Sequence, residues 1–208
     1  MKIVAFVPIK LNNQRLPGKN LLPLGGKPLC KHLFQTLSKI TNIDKAYVFC
    51  SDDIIKQYMP PELTYLKRSP ELDGNTVKGA DIYRAFISEV EADYYMLLHA
   101  TSPFTSIASV EKAIEAVKSG KYDSAFTAER IQTFAWYKGS PINYSPEDVP
   151  RTQDLDPIWV ETSGLYLFSR ELFLNTGRRI GNKPYIVEVS NMEAIDIDEK
   201  KTTNWLVN

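Results

Sequence analysis

Two five-residue apolar runs, Ile3-Val-Ala-Phe-Val7 and Tyr94-Tyr-Met-Leu-Leu98, constrain the fold more than any other feature of this chain. A strand with one wet face alternates apolar and polar residues. One that is apolar throughout is covered on both faces, as in parallel sheets sandwiched between helices. The intervening pattern agrees. Residues 28–41 carry Leu29, Leu33, Phe34, Leu37 and Ile40 at helical spacing, and residues 46–50 read as a second strand. Ser51-Asp-Asp53 then opens a short helical stripe that Pro60-Pro61 stops, and residues 63–66 form a third strand. Helices are expected over 76–91 and over 106–119, the latter stopped by Gly120. Strands at 164–168 and 185–189 follow, with a short helix at 170–174 and a final one from Glu199 to Val207. This alternation predicts an α/β fold, a doubly wound, mostly parallel sheet whose ligands sit at the carboxyl ends of the strands.

With 208 residues, 43% of them apolar, the chain has enough material for one domain spanning 1–208. Residues 129–163 break the pattern with aromatics and prolines, including Phe134-Ala-Trp-Tyr137 and Pro157-Ile-Trp159. They read as an irregular or hairpin insertion that covers the site, contacts a second subunit or packs on the parent domain. Cys30 and Cys50 fall in an expected helix and at a strand end, which suits reduced structural thiols rather than a disulfide framework or a thiolate metal site. No apolar run approaches the roughly 20 residues of a membrane-spanning helix, and no secretory leader is evident, so a soluble cytoplasmic protein is expected.

The 25 basic and 25 acidic residues cancel, leaving no overall field to attract nucleic acid or an anionic membrane. Their distribution is uneven. The first acidic residue is Asp44, after seven Lys or Arg, and four of those seven (Lys10, Arg15, Lys19 and Lys27) lie in the loop that follows the first strand. A basic loop with Gly18 and Gly25-Gly26 at the carboxyl end of a strand suits phosphate, although solvated lysines would give the same composition. The loop is neither G-x-x-x-x-G-K-[ST] nor G-x-G-x-x-G, which excludes a P-loop NTPase and removes the dinucleotide-binding fingerprint. Near the far end, Asp196-Ile-Asp198 would project two carboxylates to one side of an extended segment, a donor set for a hard cation such as Mg²⁺. That spacing serves an N-cap and a solvated turn equally well. Together, a phosphate cradle and a carboxylate pair match what phosphoryl or nucleotidyl transfer needs. His32 reads as packing or surface, whereas His99 ends the central strand at the crevice; no G-x-S-x-G elbow supports serine hydrolysis.

These residues carry a resemblance. Pro8, the loop with Arg15-Leu-Pro-Gly-Lys-Asn20, Gly26-Lys-Pro28, Ser51-Asp52, Arg68 with Pro70-Glu71-Leu72, Thr101-Ser102-Pro103, Pro150-Arg151-Thr-Gln153, Gly164-Leu-Tyr166 and Asp196-Ile-Asp198 resemble successive blocks of the acylneuraminate cytidylyltransferases, which make CMP-sialic acid and related CMP-sugars. The resemblance implies a nucleotide-diphospho-sugar transferase-like fold that dimerises through an inserted subdomain. It implies CTP held by Lys10, Arg15, Lys19, Asn20, Arg68, Asn75 and Thr76, and a sugar acid held by His99, Arg151, Gln153 and Tyr166. It also implies Mg²⁺ on Asp196 and Asp198, with Lys19 and both aspartates in catalytic roles. Departures stand at Ile9-Lys10, where the family has Ala-Arg, at His99 and Thr105 in the central block, and at Gly79 in place of a serine. His99 replaces an amide associated with the sugar acid, pointing to a nonulosonic acid other than N-acetylneuraminic acid. A cytidylyltransferase for 3-deoxy-manno-octulosonate or another sugar, and a non-catalytic nucleotide-binding relative, are the alternatives.

Overall fold

The computed structural model describes residues 1–198, and the helix expected from Glu199 lies outside them. Its strands are β1 (Ile3–Ile9), β2 (Pro23–Leu24), β3 (Lys27–Pro28), β4 (Lys45–Cys50), β5 (Leu63–Lys67), β6 (Tyr94–Leu98), β7 (Ser124–Ile131), β8 (Trp136–Tyr137), β9 (Ser140–Pro141), β10 (Ile158–Ser169) and β11 (Pro184–Val189). The helices are α1 (Leu29–Leu37), α2 (Gly79–Glu89), α3 (Ile107–Lys118) and α4 (Arg170–Thr176).

Seven strands form one sheet in the order β11-β7-β10-β6-β1-β4-β5. All neighbours run parallel except at β10, which is antiparallel to both β6 and β7. The apolar runs of β1 and β6 pair with each other at the centre, as continuous apolarity requires. Alternate residues of β1 serve the two faces. Ile3, Ala5, Val7 and Ile9 pack into a core with α1 and α3, while Val4 and Phe6 pack into another with α2. In the second core Phe86 of α2 stacks on Phe6 at 4.3 Å between centroids, with Tyr47, Phe49 and Tyr95 edge-on around it. This packing fixes α2 against the sheet well beyond what helix propensity supplies.

From β1 the chain winds outward through β4 and β5, then returns to the other side of β1 as β6. The carboxyl ends of β1 and β6 therefore diverge at a topological switch point, where an open α/β sheet leaves a crevice.

The strand β7 has no counterpart in the sequence reading, which had assigned its last three residues to the insertion. Its burial explains the difference: Ser124, Ala125, Thr127 and Ala128 are buried small or polar residues that lack the bulky apolar stripe of a strand. β7 and β10 pair from Ile131–Ile158 inward, so the segment 132–157 lies between these two strands. Within it, β8 and β9 form a hairpin turning through Lys138 (φ 49°) and Gly139 (φ 83°), both in the left-handed region that two-residue hairpins demand.

Candidate active site

The loop leaving β1 builds one wall of the crevice. Gly18 takes φ 65°, where a side chain would be strained, and opens a 3-10 turn over Lys19–Leu21. Leu16 is buried, and Asn20 donates from Nδ2 to the carbonyl of Lys10 at 2.9 Å, tying the far end of the loop to its start. With the backbone anchored in this way, Lys10, Arg15 and Lys19 present their side chains to two adjoining cavities of about 310 and 260 Å³. Asn13 lines both.

The larger cavity is completed from β6, β10 and the segment ending at Asp198. His99, Ala100 and Thr101 follow β6, and Ser163 comes from a register shift in β10 between Glu161 and Tyr166. Bulges of this kind re-aim side chains beside sites. Gly164 is closely packed there: a Cβ would lie 3.0 Å from Thr127 Oγ1 and 3.3 Å from Thr105 Oγ1. The amide of Ile197 donates to the carbonyl of Thr101 at 2.8 Å, and its side chain is buried beside Leu24 and Leu29. Asp196 and Asp198 flank that pinned residue, and both line the cavity.

The electrostatics follow from this convergence. Asp198 accepts from Lys19 Nζ on one oxygen and Arg15 Nη2 on the other, so the basic loop and the acidic segment neutralise each other across the cavity. Asp196 Oδ1 is buried with no hydrogen-bond partner among the described residues. A buried carboxylate oxygen without a donor is costly, and a cation is the natural group to satisfy it. Asp196 and Asp198 are the carboxylates that would hold a hard cation such as Mg²⁺; no cluster of three or more His, Cys, Asp or Glu occurs among the described residues.

His99 Nδ1 lies 2.7 Å from the carbonyl of Ser163, which accepts its proton and leaves Nε2 with a lone pair. Burial pushes its pKa below 6.5, and the charges of Arg179 and Lys19 push the same way against the bond to Ser163 and the charge of Asp196. The ring is neutral at pH 7.

The smaller cavity is walled by Leu72, Gly74, Asn75, Val77 and Ile82, so it is more apolar. Lys10 Nζ donates to Asn75 Oδ1 at 3.2 Å across the boundary between the two cavities. The loop carrying Asn75 is held by Arg68, which is 1% exposed. Arg68 pairs with Asp73, reaches the carbonyl of Phe49 at 3.4 Å and lies over the Phe49 ring, while Asp73 also accepts from Ser51. A buried guanidinium needs such a partner.

Of the residues singled out from the sequence, Lys10, Arg15, Lys19, Asn20, Asn75, His99, Asp196 and Asp198 stand together on these walls. Arg68 stands behind the wall instead, because its charge is spent on Asp73, and exposed Thr76 is not a wall residue. Arg151 and Gln153 lie exposed on the insertion, away from both cavities, with Arg151 turned onto Asp154 at 2.7 and 3.2 Å. Tyr166 is 2% exposed, its ring edge-on to His99 and its hydroxyl donating to Glu161 at 2.5 Å. At Gly79 a Cβ would lie 2.9 Å from the hydroxyl at the tip of the Tyr83 side chain. The sequence reading missed Asn13, whose position inside the basic loop was the available signal. It also missed Ser163, for which no local pattern exists.

Comparison with known proteins completes the assignment. The chain is 24% identical over 211 residues to an N-acylneuraminate cytidylyltransferase of Streptococcus agalactiae, covering 96% of this chain and 51% of that protein. It is 30% identical over 157 residues to 3-deoxy-manno-octulosonate cytidylyltransferase 2 of Hydrogenovibrio crunogenus, covering 75% and 62%. The chain thus spans about half to three fifths of the length of these relatives. A solved CMP:2-keto-3-deoxy-manno-octonic acid synthetase complexed with CTP shares the fold, with a TM-score of 0.71 at 19% identity over 98% of this chain and 96% of that one. A family model described as cytidylyltransferase matches residues 4–174, and the chain belongs to that family.

Proposed function

We propose that this protein transfers CMP from CTP to the anomeric hydroxyl of a sialic-acid-like nonulosonic acid, releasing pyrophosphate. The observation that carries the reading is the meeting of Arg15 and Lys19 with Asp198 beside an Asp196 oxygen that has no hydrogen-bond partner among the described residues: a phosphate cradle and a cation-holding pair face each other in one cavity.

The cytidine end of the nucleotide suits the smaller cavity, where Leu72, Val77 and Ile82 offer apolar contact and Asn75 an amide. The triphosphate then runs along Lys10, Arg15 and Lys19, which trade their present partners for phosphate oxygens. Because each is anchored on a loop tied back by Asn20, little reorganisation accompanies the charge that grows on the leaving pyrophosphate. Asp196 and Asp198 would hold Mg²⁺, which when bound supplies charge neutralisation at the phosphates. The acceptor lies on the His99 and Ser163 side of the larger cavity, its hydroxyl attacking the α-phosphorus as the bond to pyrophosphate breaks. Lys10, in the position where the family carries arginine, offers a point charge in place of a two-pronged guanidinium.

A homodimer belongs to the same reading. Trp136, Tyr137, Ile142 and Val149 of the insertion are more than half exposed, with Phe134, Trp159 and Val160 beside them in sequence also open. An apolar surface of this kind suits a second copy of the chain. A cytoplasmic location fits the two free, buried cysteines, and no helix among the described residues is long and apolar enough to cross a membrane.

Pyrophosphate release from CTP, Mg²⁺ and a panel of nonulosonic acids tests the reading, and absence of release with every acceptor sinks it. The 30% identity to a 3-deoxy-manno-octulosonate enzyme favours one second reading, so that acid belongs on the panel; a higher kcat/KM for it than for any nine-carbon acid would move the assignment there.

A further inference from the structure

Arg179 is absent from every motif of the sequence and lines neither cavity, yet it packs on residues that stand behind the walls of both. Its guanidinium lies 3.7 Å above the ring of Tyr166, which is edge-on to His99 of the larger cavity. Nη1 is 3.4 Å from the hydroxyl of Tyr83, the residue that fills the space over Gly79 at the start of α2, just beyond the Val77 wall of the smaller cavity. Nη2 donates to Glu161 Oε2 at 3.3 Å, and the same carboxylate oxygen accepts from the Tyr166 hydroxyl at 2.5 Å. A guanidinium and a phenol thus converge on one carboxylate, supplied by the chain itself one aromatic ring away from His99.

Glu161 is a weak occupant. Its side chain is 44% exposed and that of Arg179 35%, so their long single contact contributes little in water. Arg179, by contrast, is held on the Tyr166 face, which keeps its fork oriented after the partner leaves. Glu161 also sits on the open side of the β10 register shift, where the strand passes from exposed to buried.

We propose that Arg179 and the Tyr166 hydroxyl form the subsite for the carboxylate of the acceptor sugar acid, and that Glu161 occupies it in the free protein. The inference rests on the reading given under Proposed function. It assigns Tyr166 a polar role that its burial alone would deny, and it makes selection of an acid over a neutral sugar a property of Arg179. Displacing Glu161 frees one N–H, and the Tyr166 O–H, which also lies 3.0 Å from the Thr162 carbonyl, turns from Glu161 to the incoming carboxylate, with no covalent change.

Steady-state pyrophosphate release decides the matter, using wild type, Arg179→Ala, Arg179→Lys and Glu161→Ala with each acceptor acid and its methyl ester. Arg179→Ala is expected to raise KM for the acid about 10- to 100-fold, as losing a charge-assisted hydrogen bond would, with KM for CTP within twofold of wild type. Arg179→Lys recovers part of that loss, and Glu161→Ala lowers KM for the acid. The ester reacts alike with wild type and Arg179→Ala. Equal losses with acid and ester, or a rise in KM for the acid in Glu161→Ala, overturn the proposal and make the pair structural. If Arg179→Ala or Glu161→Ala melts well below wild type, Arg179→Lys carries the comparison, and an unchanged acid-to-ester ratio in it is equally fatal. A wild-type protein that turns over no acid removes the proposed function itself, and the carboxylate subsite with it.

Discussion

The strand β10 runs through two unlike environments in twelve residues. From Thr162 to Phe168 it lies between β6 and β7 with almost every side chain buried, and it delivers Ser163 to the cavity. From Trp159 to Glu161 its side chains are exposed, and it leads back into the aromatic insertion. The buried half is fixed by packing on both sheet faces, so the site it borders has its geometry before any ligand arrives. The open half carries large apolar side chains whose burial the single chain does not provide. Rigidity and incompleteness meet along one strand, and the cavity wall at Ser163 belongs to the rigid side.

The most severe break is made in the sheet beside the buried half, where α2 packs on β1, β4 and β6. Phe86→Ala removes the ring around which Phe6, Tyr47, Phe49 and Tyr95 are arranged and leaves a cavity under α2. A loss of about 3–5 kcal/mol is expected in urea unfolding, a large share of the stability of a domain this size.

Next comes Asp196→Asn, which separates function from stability in the same region. Pyrophosphate release should fall about 100- to 1,000-fold, the effect of losing one group that neutralises developing charge. The melting temperature in the absence of metal should hold or rise, because the substitution removes a charge from an oxygen that is buried without a donor. A drop in both would mean that Asp196 supports the fold.

How much of this was legible follows the same division. The parallel sheet could be read because β1 and β6 are apolar throughout, and Lys10, Arg15, Lys19, Asp196 and Asp198 could be read because local composition declares their charge. What escaped depends on contacts between distant elements. β7 is a strand of small and polar residues held by its neighbours β10 and β11. The pairing of Arg68 with Asp73 has no local signature, and Arg179 acquires meaning only from Tyr83, Glu161 and Tyr166 around it.

The open half is tested by replacing Trp136 and Tyr137, 59% and 63% exposed, with serine. If a second copy covers them, the double variant should be monomeric by light scattering at micromolar concentration where wild type is dimeric. Interface aromatics typically contribute about 2 kcal/mol or more each, enough to separate the two states. The far-UV circular dichroism should not change, since neither side chain is part of the core. A wild-type mass near 24 kDa at that concentration would instead leave the insertion as a surface without a subunit partner.

The smallest effect returns to the buried half, at His99. Burial holds its pKa below 6.5, the value it recovers in the unfolded chain. Above pH 6.5 the ring is neutral in both states and titration adds nothing to stability. As the pH falls below 6.5, unfolded chains bind the proton first, so the folded state loses ground until the pH drops through the folded pKa, where the loss levels off. One proton limits the slope to about 1.4 kcal/mol per pH unit. His99→Gln keeps a donor for the Ser163 carbonyl and removes the titration, so its stability should fall less than that of wild type between pH 7 and pH 5. The two proteins differ at this position alone, so the difference between the two curves belongs to His99. Parallel curves would mean that the imidazole at the end of β6 is as wet as one on the insertion, and the contrast between the two halves would not extend to the cavity wall.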